Sequence, residues 1–134
     1  MSQTSKELTK NLDITYDDKG LIAAIVQDID TQQVLMIGWM NEQAVELTLE
    51  TGRATFYSRS RDKIWVKGEE SGHTQEVVEA RIDCDQDALL LRCRSNGPAC
   101  HVGYATCFYR VVETDSHLKT IEPRQFDPAD VYSS

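Results

Sequence analysis

The amino-acid sequence predicts a mainly β (α+β) protein, with a mixed or antiparallel folded sheet or pseudobarrel and one short helix. Three observations predict this class: apolar, β-branched runs alternate with polar turns, two of those turns are short enough for hairpins, and one segment carries helix start and stop signals. A chain of 134 residues with 40% hydrophobic content fits a single domain. We expect a polar lead-in over about 1–15 and a polar tail over about 115–134.

The turns "DIDTQQ" and "RSRDK" each join two apolar runs, so antiparallel neighbours are favoured. In "NEQAVELTLETG", Asn41 is placed as an N-cap, Glu42 in the first turn and Gly52 as a left-handed stop. Val45 and Leu47 also fit a strand alternation, but the end signals favour a helix. Strands are predicted near 21–28, 33–39, 54–59, 64–67, 77–82, 88–93 and 107–113.

The net charge of −8 argues against non-specific binding to nucleic acid or to an acidic membrane surface. No apolar run approaches the ~20 residues of a membrane helix, and the N-terminus lacks the apolar core of an export signal, so a cytoplasmic location is expected. From Arg53 to Lys67, five cations and one anion give a local charge of +4. This segment predicts a site for a small anionic ligand; solvated strand and turn residues are the alternative.

The stretch "DCDQD" interleaves carboxylates with a thiol. In an extended strand, Asp83, Asp85 and Asp87 would share one face, and Cys84 would point to the other. Carboxylates suit Mg²⁺ or Ca²⁺, whereas a thiolate prefers zinc or another softer metal. Full extension would separate the outer aspartates by ~13 Å. Either the segment turns or bulges at 85–87, or fewer than three aspartates bind one ion; an acidic turn without metal is the alternative.

Three further cysteines follow, and none belongs to a CxxC pair. Cys100 and Cys107 could join Cys84 in a three-sulfur zinc site whose fourth position is left to water, as in catalytic zinc sites. Cys93 follows the apolar run "ALLL", which favours a buried free thiol. As a fourth ligand it would instead close the site and make it structural.

A histidine and a glycine-containing loop are candidates for substrate contact. His101 is a candidate general acid/base or substrate contact, although a histidine bonded to backbone is the alternative. The loop "KGEESGHT" contains Lys67, Ser71, His73 and Thr74 around two glycines, and could offer N–H and hydroxyl groups to a phosphate. The same composition also describes an ordinary flexible loop.

The blocks "GRATFYSRSRDKIWVKGEESGHTQ", "DCDQD" and "GPACHVGYATCFYR" together resemble phosphoribosyl-AMP cyclohydrolase of histidine biosynthesis, in family order from about Leu35 to Arg110. The resemblance implies an intertwined, mainly β homodimer. It also implies zinc- and magnesium-dependent hydrolysis of the N1–C6 bond of the adenine ring in 1-(5-phosphoribosyl)-AMP, a small phosphorylated nucleotide. The chain ends about 24 residues after "CFYR", so we expect it to carry this activity alone.

The resemblance also implies residue roles. The aspartates match magnesium ligands, and Cys84, Cys100 and Cys107 match zinc ligands, with Cys84 supplied by the partner subunit; Cys93 matches none. Zinc would activate the attacking water, and His101 would move a proton as N1–C6 breaks. Magnesium would neutralise a substrate phosphate. The expected substrate-binding residues are Arg59, Arg61, Lys63, Lys67, Ser71 and His73.

One position departs from the family pattern: Val102 stands where threonine is common, so any hydroxyl contact from that position is absent. A zinc nucleobase deaminase is disfavoured because the chain lacks both HxE and PCxxC. A structural module built from all four cysteines is disfavoured because the spacings of 9, 7 and 7 lack paired knuckles.

Overall fold

A four-stranded sheet with the strand order β2-β1-β6-β5 is the centre of the computed structural model, which describes residues 7–131. The elements, in chain order, are β1 (Ile22–Asp28), β2 (Val34–Met40), α1 (Glu42–Thr51), β3 (Thr55–Ser58), β4 (Lys63–Val66), β5 (Gln75–Ile82), β6 (Ala88–Ser95), β7 (Arg110–Val112), β8 (Leu118–Thr120) and α2 (Pro128–Val131). The predicted mainly β class with a mixed sheet is therefore confirmed.

The pairings in this sheet are of both kinds. β1 and β2 form the predicted antiparallel hairpin, with Ile25 opposite Ile37. β5 and β6 are also antiparallel, whereas β1 and β6 run parallel, with Ile25 opposite Leu90. The sequence preference for antiparallel neighbours fails at this one pair because the two strands are distant in the chain and no hairpin joins them.

The predicted helix is confirmed at both ends. The side chain of Asn41 accepts a hydrogen bond from the N–H of Ala44 at 2.9 Å, and thereby satisfies a free donor of the first turn. Gly52 ends the helix with φ of 75°, where its N–H donates to the carbonyl of Thr48. The hydroxyl of Thr48 accepts from the N–H of Thr55 at 3.0 Å, which fixes α1 against β3.

The hairpin of β3 and β4 covers the core next to α1. Phe56 is fully buried, and its ring centroid lies 5.1 Å from that of Trp65 on the opposite strand. Gly38 of β2 lies under the same ring, because a Cβ added there would be 2.5 Å from Cδ1 of Phe56. The core joins β1, β2, α1, β3 and β6 and includes Ile22, Ala24, Val26, Leu35, Met36, Met40, Val45, Leu89, Leu91 and Cys93.

The chain after the sheet forms the small, exposed hairpin of β7 and β8. The strand predicted near 107–113 is shorter in the structure, since Cys107 instead donates its N–H to the carbonyl of Leu35. β8 and α2 lie in the segment predicted as a polar tail. Over residues 7–131, no helix is both long and apolar enough to cross a membrane.

Candidate functional site

The aspartates lie in the turn of residues 83–87 that joins β5 to β6, called the aspartate turn below. Oδ1 of Asp83 accepts hydrogen bonds from the N–H groups of Asp87 at 2.9 Å and Ala88 at 3.0 Å, and Gln86 adopts φ of 58°. Ligand oxygens of the three aspartates consequently lie within 4.8 Å of one another. The segment is therefore not extended; it turns, which is one of the two options that the sequence left open.

The carboxylates of this turn shift one another's pKa values. The side chains of Asp85 and Asp83 hydrogen-bond to Asp87 and raise its pKa to about 6. Burial alone would raise the pKa of Asp83, but hydrogen bonds from Asp87 and from the N–H of Ala88 lower it. Three carboxylates so close together repel unless a proton or a cation lies between them. The donor set is therefore suited to a hard divalent cation.

The segment before β1 packs on the aspartate turn. Gln86 is buried; its side-chain Oε1 accepts from the N–H of Asp13 at 2.6 Å, and its carbonyl accepts from the N–H of Thr15 at 2.7 Å. The sequence predicted only a polar lead-in over about 1–15, because no local pattern marks this long-range contact. Gln86 thus holds the turn from its inner side.

Cys100 and Cys107 form a thiol pair. Cys100 is buried, and its N–H donates to the carbonyl of Tyr104 at 3.1 Å, which closes a turn. Thr106, two residues after that turn, is also buried, and its hydroxyl donates to the carbonyl of Val34 at 2.7 Å. These contacts bring the sulfur of Cys107 into hydrogen-bond contact with Cys100.

The environment of the pair disfavours isolated thiolates. Desolvation and the neighbouring Cys100 raise the pKa of Cys107 to about 11, against the opposing charge of Lys67. Cys107 as a whole residue is exposed, so this desolvation arises from atoms packed around its sulfur. Burial likewise lowers the pKa of Lys67, whereas Cys107 and Cys100 act to raise it. The ammonium group of Lys67 is therefore close enough to both thiols to interact with them electrostatically.

A cavity of about 670 Å³ is lined by Lys67 and by His101, the residue that follows Cys100. It brings together five of the residues predicted for substrate binding or catalysis, which are Arg61, Lys63, Lys67, Ser71 and His101. Ser58, Trp65, Glu69 and Glu70 also line it and were missed, although both glutamates stand inside "KGEESGHT". Three of the five cations between Arg53 and Lys67 thus line one concave site.

Two of the predicted substrate-binding residues do not line this cavity. Arg59 places its guanidinium 5.0 Å from the ring centroid of Trp39. His73 packs its ring edge-on against Phe126, with centroids 5.3 Å apart, and its buried Nδ1 has no hydrogen-bond partner among the described residues. Gly97 lies against the same imidazole, since a Cβ there would be 2.5 Å from Cδ2 of His73.

The other two cysteines have contrasting positions. Cys93 is fully buried in the core, where desolvation and, secondarily, Asp28 raise its pKa to about 12. Its predicted core position is confirmed, and it does not join a four-cysteine module within the chain. Cys84 is exposed in the aspartate turn. Across residues 7–131 the three aspartates form the one group of convergent metal ligands, so Cys84 does not meet Cys100 and Cys107 in a single chain.

Comparisons with known proteins identify one family to which this chain is similar. A family model described as phosphoribosyl-AMP cyclohydrolase matches residues 36–109, a range that contains the aspartate turn, the thiol pair and the cationic cavity wall. The curated relatives named phosphoribosyl-AMP cyclohydrolase include one from Hyphomonas neptunium that is 56% identical over 84% of this chain and 86% of its own. A second, from Methanococcoides burtonii, is 52% identical over 89% of this chain and 95% of its own.

Proposed function

The chain belongs to the phosphoribosyl-AMP cyclohydrolase family, and from this premise we propose that cysteine-bound zinc and aspartate-bound magnesium serve its reaction. The enzyme hydrolyses the N1–C6 bond of the adenine ring in 1-(5-phosphoribosyl)-AMP, in histidine biosynthesis. The product is the ring-opened phosphoribosyl-formimino-aminoimidazole-carboxamide ribotide. Water must add at C6, and N1 must accept a proton as the bond breaks.

One observation carries the assignment of this chemistry to the cavity: Lys67 interacts electrostatically with both thiols and also lines the cavity with His101. The substrate has two phosphate groups, and Arg61 and Lys63 extend the same wall with positive charge. Guanidinium and ammonium groups bind phosphate through charge-assisted hydrogen bonds. We assign these cations to one substrate phosphate, with the adenine ring directed toward the thiols.

The donor chemistry of the thiol pair fits zinc. Soft sulfur ligands favour Zn²⁺, and a thiol with a pKa near 11 stays protonated at neutral pH until a metal displaces the proton. Zinc bound there would act as a Lewis acid that makes water a better nucleophile near pH 7. Its third protein ligand is proposed to be Cys84 of a second copy, because Cys84 is exposed and apart from the pair in its own chain.

This assignment makes the active enzyme an intertwined homodimer with two shared zinc sites. The aspartate turn that carries Cys84 would then bring its carboxylates to the partner's cavity. Magnesium held by Asp83, Asp85 and Asp87 would neutralise a substrate phosphate and the repulsion within the turn. His101 is assigned the proton transfer to N1, because it is the imidazole that lines the cavity.

The test uses purified full-length protein and phosphoribosyl-AMP, with ring opening followed by absorbance. We expect turnover that is abolished by a zinc chelator and restored by Zn²⁺. His101→Asn should lower kcat by about 100-fold or more while zinc content is unchanged. Full activity after verified zinc removal would refute the metal assignment, and an unimpaired His101→Asn would refute the proton-transfer role.

A further inference from the structure

A segment near the C-terminal end crosses the turn that carries the site residues. Residues 124–126, called the strap below, lie against residues 100–104, called the thiol turn, and Arg124 forms an isolated antiparallel bridge with Tyr104. The strap lies outside the range 36–109 matched by the family model. None of the residues assigned to metals, substrate or proton transfer belongs to it.

The two backbones fit closely at Gly103. This residue is buried with φ of 109°, and a Cβ on it would lie 2.1 Å from the carbonyl oxygen of Phe126. The carbonyl of Gly103 accepts a hydrogen bond from the N–H of Gln125 at 2.6 Å. Only glycine allows both the left-handed backbone and the close approach of the strap.

Two side chains extend the contact in opposite directions. Arg124 donates from Nε to the carbonyl of Val102 at 2.9 Å, adjacent to the proposed acid His101. Phe126 packs against the imidazole of His73, in the glycine-containing loop that also forms the cavity wall. The strap therefore connects the turn carrying Cys100 to the loop that begins at Lys67, one of the proposed phosphate-binding cations.

We propose that Arg124 and Phe126 are positioning residues. They hold the thiol turn, and with it Cys100 and His101, at a fixed position relative to the cavity wall. The inference rests on the proposed roles of Cys100 and His101. The thiol turn is closed locally by hydrogen bonds between Cys100 and Tyr104 and between Gly103 and Cys100. The strap adds bonds from outside the turn, and displacement of a catalytic group by about 1 Å can cost about 100-fold in rate.

The chain contains its own reporters for a test. Cys100 is the first residue of the thiol turn and is buried, Cys84 is exposed, and Cys93 lies in the core. Iodoacetamide labelling of the full-length, chelator-treated protein, quantified for each cysteine by peptide mass spectrometry, separates local opening from global unfolding. In Arg124→Ala we expect labelling of Cys100 to rise about tenfold, as for loss of one charge-assisted hydrogen bond. Labelling of Cys93, in the core, should not change.

Further variants show whether a rise in Cys100 labelling is caused by loss of the strap contacts. Lys119→Ala removes an exposed cation of the same C-terminal region and should label like wild type. Arg124→Lys should recover part of the protection because it retains a cationic donor. Phe126→Ala should increase labelling of Cys100 through the second contact. Unchanged Cys100 labelling in both Arg124→Ala and Phe126→Ala would overturn the proposal, as would an equal rise at Cys93.

Kinetics give a second criterion. In the zinc-loaded enzyme, Arg124→Ala should lower kcat about tenfold or more with KM nearly unchanged, because Arg124 bonds to the thiol turn at Val102 and its removal leaves the contact of Phe126 with His73 in place. A rise in KM alone would contradict positioning. An inactive wild type would refute the proposed function instead, and the labelling comparison, which needs no turnover, would still decide on the strap.

Discussion

Oδ1 of Asp83 accepts a hydrogen bond from the backbone N–H of Asp87 at 2.9 Å, across the turn between β5 and β6. This bond folds the segment back on itself and removes the separation of ~13 Å that an extended chain would impose. The three carboxylates then meet within 4.8 Å, on the same turn that exposes Cys84. One turn can thus supply hard ligands to one ion and a soft ligand to another.

Magnesium should stabilise the protein in a pH-dependent way. The pKa of Asp87 is raised to about 6, so the folded metal-free protein binds a proton that the unfolded chain releases near pH 4. The contribution of Asp87 to stability therefore falls as pH rises through about 6, and magnesium removes that penalty. We expect a larger Mg²⁺-induced rise in Tm at about pH 7.5 than at about pH 5. Equal shifts at both values, or an unaltered pattern in Asp87→Asn, would count against this.

Replacing the cysteines one at a time should distinguish the zinc ligands from the cysteine in the core. Cys93→Ala should retain zinc and turnover but lose about 1–2 kcal/mol of unfolding free energy, because it leaves a small void in the core. Cys84→Ser, Cys100→Ser and Cys107→Ser should each lose zinc and activity with Tm of the metal-free protein nearly unchanged. Zinc content measured by atomic emission shows which of the four cysteines bind zinc. Equal zinc loss in all four variants would favour a structural site.

Removal of the cation beside the thiols should weaken substrate use. Lys67→Met should lower kcat/KM by at least about tenfold, or ~1.4 kcal/mol, because a partly buried charge that faces the substrate is lost. Lys19→Met removes an exposed lysine remote from this wall and serves as the control. Equal kinetics for the two variants would exclude Lys67 from the site.

The contact between Gly38 and Phe56 predicts a stability defect. Gly38→Ala places a Cβ within 2.5 Å of a fully buried ring, so we expect a loss of about 1–3 kcal/mol in urea unfolding. The double variant Gly38→Ala, Phe56→Leu should be less destabilised than the sum of its single changes, because the smaller side chain relieves the overlap. Strict additivity would show that the two residues do not interact.

The sequence predicted features that depend on near neighbours. Asn41 and Gly52 marked the helix ends correctly because capping depends on residues within one turn. The hairpin of β1 and β2 followed from a short polar connection. The core position of Cys93 followed from the apolar run before it.

Long-range contacts left no such signal. The parallel pairing of Ile25 with Leu90 joins strands that are far apart in the chain. Arg124 and Phe126 stand in a polar segment that reads as a surface tail, yet they contact the thiol turn and His73. His73 was predicted among the phosphate contacts from composition alone, whereas its position depends on residues from two later segments. Residue chemistry offered both sets of metal ligands as candidates, and the family resemblance matched them and added their sharing between subunits; these stay predictions.

The most direct test of the shared active site is subunit complementation between two inactive variants. Cys84→Ser and Cys107→Ser are each expected to form homodimers with no intact zinc site. In a heterodimer, one site combines the unaltered Cys84 of one subunit with the unaltered Cys100 and Cys107 of the other. Complete exchange of an equal mixture should therefore restore about a quarter of wild-type activity.

Exchange is verified by differently sized affinity tags, and zinc is measured in the isolated heterodimer. The heterodimer is predicted to hold zinc in one of its two sites and to show turnover that neither parent variant shows. A heterodimer that is stable, verified and free of both zinc and activity would contradict a site assembled from two chains.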